Sequence, residues 1–297
     1  MGVRKKKDYY KRIQRFRIID DDFMRVVLKD KACTQQVLEV ILEKPDLQVS
    51  SVEVQYDMKN LRGRSLELDV LATDSKKKKY NIEVQRKNKG ASPKRARYHS
   101  ALIDAESLEP GEDFRKLPEN IVIFITEKDV LGGGKAVYHI HRTIEETGKK
   151  FGDGTHIIYI NAKIQDETPV GKLMHDFLCT RAEDMYYPVL ADKVRHLKED
   201  EKEVETMCRI MEEIEERGIR YGEKRGREIG EKRGREIGEK RGREIGEKRG
   251  RKVGEKQGID RVSKLVDILL SQNRIEDLQR STSDRVYQRR LFQEFGI

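Results

Sequence analysis

The sequence predicts a mixed α/β domain followed by a helical C-terminal extension. Three observations predict it. A helical apolar pattern is followed by three alternating runs, then another helix and a continuous apolar strand. Beyond about residue 170 the pattern turns helical and increasingly polar. An eight-residue repeat rich in glycine then leads into a last amphipathic stretch.

The first helical segment covers residues 20–43, DDDFMRVVLKDKACTQQVLEVILE. Its apolar positions recur at helical spacing, acids open it where a helix dipole favours them, and Pro45 closes it. Strand-like runs follow at 48–56, 65–73 and 79–87, and a helix at 92–108 has Pro93 in its first turn. NIVIFIT (120–126) reads as a strand buried on both faces, while 136–142 and 155–162 suggest a further hairpin.

With 36% apolar and 39% charged residues and no tryptophan, the 297-residue chain has a core smaller than its length allows, with long solvated helices or linkers beside it. The divisions expected are a basic leader (1–17), the α/β domain (18–190), an acidic helix (191–221), the repeat (222–258) and a helical hairpin (259–297).

The net charge of +9 is unevenly spread. Residues 1–17 carry +7 and residues 222–253 carry +6, so the remainder is slightly acidic. Such a leader suits either an anionic partner or plain solvation. Three scattered cysteines fit a reducing cytoplasm, and no run approaches the ~20 apolar residues that span a bilayer. A cytoplasmic protein without membrane contact is expected.

In the repeat, GEKRGREI recurs with glycine at every fourth position from Gly218 to Gly258. Each glycine costs a helix about 1 kcal/mol relative to alanine, and apolar anchors come only at Ile229, Ile237, Ile245 and Val253. This reads as a marginal charged helix or spacer. Homo-oligomerisation through the C-terminal helices is one role open to the region.

The chemistry lies in ELDVLATDSKKKKYNIEVQRK (67–87). Side chains alternate across a strand, which puts Leu66, Leu68 and Val70 on one face and Glu67 and Asp69 on the other. In the next run Ile82 and Val84 face inward, and Glu83 and Gln85 outward. An antiparallel pairing about a turn near Lys76 sets Asp69 opposite Glu83 and Glu67 opposite Gln85. Alternation alone would make this an ordinary solvated face. Facing carboxylates repel, however, unless a cation or proton intervenes, and a hard divalent ion takes carboxylate oxygens. Six bases and no acid follow in RKNKGASPKRAR (86–97). Metal-holding acids beside phosphate-holding bases are what phosphodiester hydrolysis needs.

ELD, twelve residues, then IEVQ resembles the PD-(D/E)XK nuclease superfamily. With GRSLELDVLA, KRARYHSALIDAESLEPGEDFRKLP, IVIFIT and GDGTHIIYIN, residues 18–190 resemble more narrowly the Rpn family of recombination-promoting nucleases and putative transposases. The resemblance implies a restriction-endonuclease-like mixed sheet flanked by helices, and a Mg2+-dependent DNA endonuclease, with Mn2+ as substitute, acting in recombination or transposition. Asp69 and Glu83 would bind metal. Gln85 stands where many members carry lysine and would position water without supplying charge. Arg86, Lys87, Lys94, Arg95 and Arg97 would hold the DNA backbone. Superfamily members often add an acid from the first helix, for which Glu39 and Glu43 are the candidates. Tyr98 would touch substrate or brace the strands, and Glu67 would stand farther from the metal. His139 and His141 read as hydrogen-bonded strand residues. The alternative is a catalytically weak or inactive DNA-binding protein that self-associates through its helices.

Overall fold

The computed structural model describes residues 3–58, 64–86 and 90–297. They form two compact units, Met1–Glu213 and Ile214–Ile297. The first is a mixed α/β unit around a six-stranded sheet.

Its chain begins with α1 (Val3–Ile13), where the sequence suggested only a charged leader. Tyr9 and Ile13, one turn apart, are buried in the core, which explains why this basic segment is ordered as a helix. Residues 20–43 form two helices instead of one, α2 (Asp21–Leu28) and α3 (Lys31–Leu42). The break is chemical. The Asp30 side chain accepts from the Ala32 and Cys33 amides, capping a new helix two residues after the old one ends.

Three strands follow, β1 (Val49–Met58), β2 (Leu66–Asp74) and β3 (Lys79–Gln85), then α4 (Pro93–Ser107) and β4 (Asn120–Thr126). β5 (Val137–Ile140), β6 (Thr155–Asn161), α5 (Pro169–Leu178) and α6 (Pro188–Glu199) complete the unit, except for the start of α7 (Glu201–Ser271). The sheet order is β1-β2-β3-β4-β6-β5. Pairs β1/β2, β2/β3 and β5/β6 are antiparallel, whereas β3/β4 and β4/β6 are parallel.

Both faces of the sheet are covered. Val70, Ala72, Tyr80, Ile82 and Val84 pack with residues of α2, α3 and α5 in one cluster. Leu71, Val122, Phe124 and Tyr159 pack with Ala96 and Ile103 of α4 in another. β4 is buried along its whole length, as its unbroken apolar run predicts.

The β2–β3 hairpin has the expected register, Val70 opposite Ile82 and Thr73 opposite Lys79. Asp74 holds its turn. One carboxylate oxygen accepts from the Lys76 and Lys78 amides, the other from the Tyr80 hydroxyl, and Lys77 turns the chain at φ 64°. The lysines of this loop serve the turn and its surroundings. Lys78 pairs with Glu119 and Lys79 donates to Thr73, so neither offsets the acids at the other end of the hairpin.

In the second unit, residues 222–253 lie within the continuous helix α7 and their side chains are exposed. Near its end, Leu265 and Leu269 pack against Leu291, with Leu278 and Tyr287 beside them. These join α7 to α8 (Ile275–Ser283) and α9 (Arg285–Glu294). Among the described residues no helix is long and apolar enough to cross a membrane. All three cysteines are free thiols.

One buried cation ties the first unit together. Lys198, at the end of α6, donates to the carbonyls of Gln14 (3.2 Å), Phe16 (2.6 Å) and Thr180 (2.5 Å), and burial pulls its pKa down to about 8. Lys198→Met should leave those acceptors unpaired and lower stability by about 3 kcal/mol, measured as the shift in the urea unfolding curve. An unchanged curve would mean that the three carbonyls find other donors.

Candidate active site

The hairpin that brings Asp69 to Glu83 is regular only as far as Val70 and Ile82. At the next pair side chains take over from the backbone. Glu83 Oε1 accepts from the Asp69 amide at 3.1 Å, and Asp69 Oδ2 accepts from the Val84 amide at 3.3 Å. On the other side of β2, Gln55 stands across from Asp69 with φ 53°, between the paired positions Val54–Val70 and Tyr56–Leu68. A left-handed residue within a strand re-aims the chain locally.

Strict alternation is lost here. Leu68 joins the cluster on the α4 side, while Val70 packs on the opposite face. The sequence reading placed both on one face and the acids on the other, which alternation alone would leave solvated. The twist and the α4 cover overturn that: Asp69 is 6% exposed and Glu83 0%. The two carboxylates share the gap where β2 and β3 part, approached by α2 from one face and α4 from the other.

Each acid has its own arginine. Arg25 of α2 donates to Asp69 Oδ1 at 2.9 Å, and stands 3.8 Å from Glu67. Arg95 of α4 donates to Glu83 Oε2 at 3.1 Å and to the Gly90 carbonyl at 3.1 Å. Arg95 Nε also donates to His99 Nε2 at 3.0 Å. An arginine can only donate, so His99 Nε2 is an acceptor and its proton sits on Nδ1, facing Asn81 Oδ1 at 2.9 Å. Asn81 Nδ2 in turn donates to Glu83 Oε1 at 2.9 Å, closing a ring of four side chains. Burial, and then the Arg95 charge, hold His99 down to about 3, so it is neutral. Glu83 is pushed up to about 7, by burial first and by the Asp69 charge second.

Gln85 lies two residues beyond Glu83 on the same strand. Its amide fills the space left by the missing side chain of Gly90: a Cβ there would stand 1.7 Å from Gln85 Oε1. Asp69, Glu83, Gln85 and Arg95 are thus brought together.

The other expected residues are more dispersed. Arg86 pairs with Asp20 at 3.0 Å and Glu127 at 3.4 Å. Lys94 and Arg97 are exposed on α4, and Lys87 lies outside the described residues. Tyr98 donates to the Arg64 carbonyl, tying α4 to the segment before β2. Glu39 accepts from Gln35, whose side-chain oxygen accepts from the first amide of β1, a contact away from Asp69. His139 and His141 are exposed, their rings 6.5 Å apart, with His156 5.8 Å from His141.

Asp21 is the acid that the sequence reading missed. It opens α2, and its pKa is raised by burial first and then by Asp69, against the pull of Arg25, Arg86 and Arg95. Its place in the DDD run made it look like an ordinary helix start. The signal available was the four-residue step to Arg25 on one helical face.

The donors gathered here are hard oxygens: two strand carboxylates, a helix carboxylate near them and an amide oxygen. Such a set suits Mg2+ or Mn2+. Among the described residues no group of three or more histidine, cysteine, aspartate or glutamate side chains is arranged to hold a metal, and the guanidinium groups of Arg25 and Arg95 balance the acids.

Residues 23–224 match the family described as PD-(D/E)XK nuclease family transposase. No curated protein and no solved structure matches. With two thirds of its length matched, the region holding both carboxylates included, the chain belongs to the PD-(D/E)XK nuclease family transposases.

Proposed function

We propose that the chain is a metal-dependent DNA endonuclease of restriction-endonuclease-like fold, acting in the cytoplasm on mobile or recombining DNA. What carries the reading is the meeting of Asp69 and Glu83 beside Gln85, in a chain of a nuclease family. Asp69 and Glu83 would hold the ion, Mg2+ or Mn2+, and Asp21 would supply the helix acid for which Glu39 was the candidate from sequence. A bound divalent cation neutralises charge on the scissile phosphate and lowers the pKa of water.

The chain's own groups do the rest. Gln85 accepts a hydrogen bond from the attacking water and orients it. It carries no charge, so the positive charge that a lysine would bring falls to Arg95, already at the site from α4. Lys94 and Arg97, exposed on the same helix, meet flanking phosphates. Such contacts position a duplex without reading its bases. Arg86 is tied to Asp20 and Glu127 and steadies the site's rim.

A plasmid cleavage assay across Mg2+, Mn2+ and EDTA tests the reading. The parent should cut only with metal, and Asp69→Ala or Glu83→Ala should lose at least about two orders of magnitude. Cutting by a folded Asp69→Ala chain at the parent rate would remove the assignment. DNA binding without cleavage in any metal would favour the alternative, a binding protein that joins chains through its helices.

The helix acid can be tested separately. Asp21→Asn should cost about 10-fold or more in cleavage, while Glu39→Gln leaves the rate unchanged. The reverse pattern would move the helix contribution from α2 to α3.

A further inference from the structure

The C-terminal end of the second unit holds a polar cavity of about 780 Å3, lined by Arg261 of α7, Ser281 and Thr282 at the end of α8, and Arg285, Gln288 and Arg289 of α9. No aspartate or glutamate lines it among the described residues, and Arg261 donates to the Ile297 backbone oxygen, which also lies in the lining. Arg285 and Arg289, four apart on one helical face, are exposed and make no ion pair among the described residues.

Three of the local acids are committed elsewhere. Asp284 caps α9 through the Val286 and Tyr287 amides, Asp277 binds Arg274 and Tyr287, and Glu294 binds Arg274 at 2.5 Å. The helix itself gains nothing from these arginines. α9 has no acid in its first turn, where Arg285 meets the positive end of the dipole, and no base in its last turn. A cation at that end of the dipole is unfavourable.

From these observations we infer that this cavity binds the phosphodiester backbone of duplex nucleic acid, a second contact apart from the Asp69–Glu83 site. Two unpaired guanidinium groups, with the Gln288 amide beside them, match a run of phosphate oxygens; the Ser281 and Thr282 hydroxyls already donate to the Leu278 and Gln279 carbonyls and add no donor. The chemistry favours a backbone over splayed bases. The one ring in the lining, Phe292, is already covered by Arg261 at 4.7 Å and offers no free stacking face. An acidic polypeptide is the rival occupant. The excess of bases over acids along the exposed 222–253 segment of the same unit favours the longer, more densely charged polyanion.

The inference rests on the reading that the chain acts on DNA, and binding separates the two. Full-length protein in EDTA would be titrated onto labelled 20-bp duplex and onto single strand by fluorescence anisotropy, from low to moderate salt. Arg285→Gln/Arg289→Gln should weaken duplex binding at least tenfold and flatten the slope of log affinity against log salt by about 2. Arg285→Glu/Arg289→Glu should weaken it further. Parent-like affinity and slope in both folded variants would overturn the inference, even if metal-dependent cleavage stands. So would a preference for single strand that survives the substitutions, or loss of an acidic protein partner with duplex binding intact. Charge-sensitive binding by a chain that cleaves nothing would instead leave this surface in place and remove the nuclease reading.

Discussion

Two buried carboxylates forced into one gap are the constraint around which the first unit is arranged. Unit charges about 5 Å apart in a medium of effective dielectric near 20 repel by roughly 3 kcal/mol, and burial adds a desolvation cost. The fold answers with one guanidinium per acid, delivered from opposite faces of the sheet by α2 and α4. The two helices bracket the end of the hairpin, and Glu83 and Asp69 replace the backbone acceptors that the parted strands no longer offer. The acids therefore serve as structure as well as charge.

The ring through Arg95, His99, Asn81 and Glu83 shows why neutral polar residues are buried here at all. Asn81 and His99 are fully buried, yet each polar atom that they turn to the ring has a partner of the right sense. Arginine can only donate and an ionised glutamate can only accept, so the direction of every hydrogen bond between them follows. A satisfied network of this kind locks rotamers. It keeps Glu83 aimed at β2, where Asp69 is, although burial favours its neutral form.

Much of this was legible in the sequence, and the failures are instructive. The 74–78 turn and the hairpin register follow from alternation and loop length, and so did the meeting of Asp69 with Glu83. Their burial did not, because an alternating strand looks the same whether water or α4 covers its second face. Only a three-dimensional neighbour tells Asn81 and Glu83 from solvated residues. The twist at Gln55 was hidden for a different reason: glutamine is an unusual choice for positive φ, and nothing in VEVQYD marks it. The break at Asp30 could have been read, since an Asp followed by Lys-Ala-Cys-Thr is an acceptable N-cap. The apolar periodicity running through it was the stronger signal. Tyr9 and Ile13 were masked by the charge around them.

The departure at Gln85 bears most directly on how such a site could work. A lysine at that position would place a second cation near Glu83 alongside Arg95, and the ring would have to accommodate it. Glutamine adds no charge and lets its amide rest in the space at Gly90, and the cation standing against Glu83 is Arg95 of α4. Arg95 is held by Glu83, His99 and the Gly90 carbonyl. Were Glu83 to hold a divalent cation, His99 and the Gly90 carbonyl would still hold Arg95. On the nuclease reading, the same arginine thus serves as counter-ion to the acids before loading and as a cation near phosphate afterwards. Such an exchange would let a family member lacking the strand lysine keep its charge balanced with and without metal.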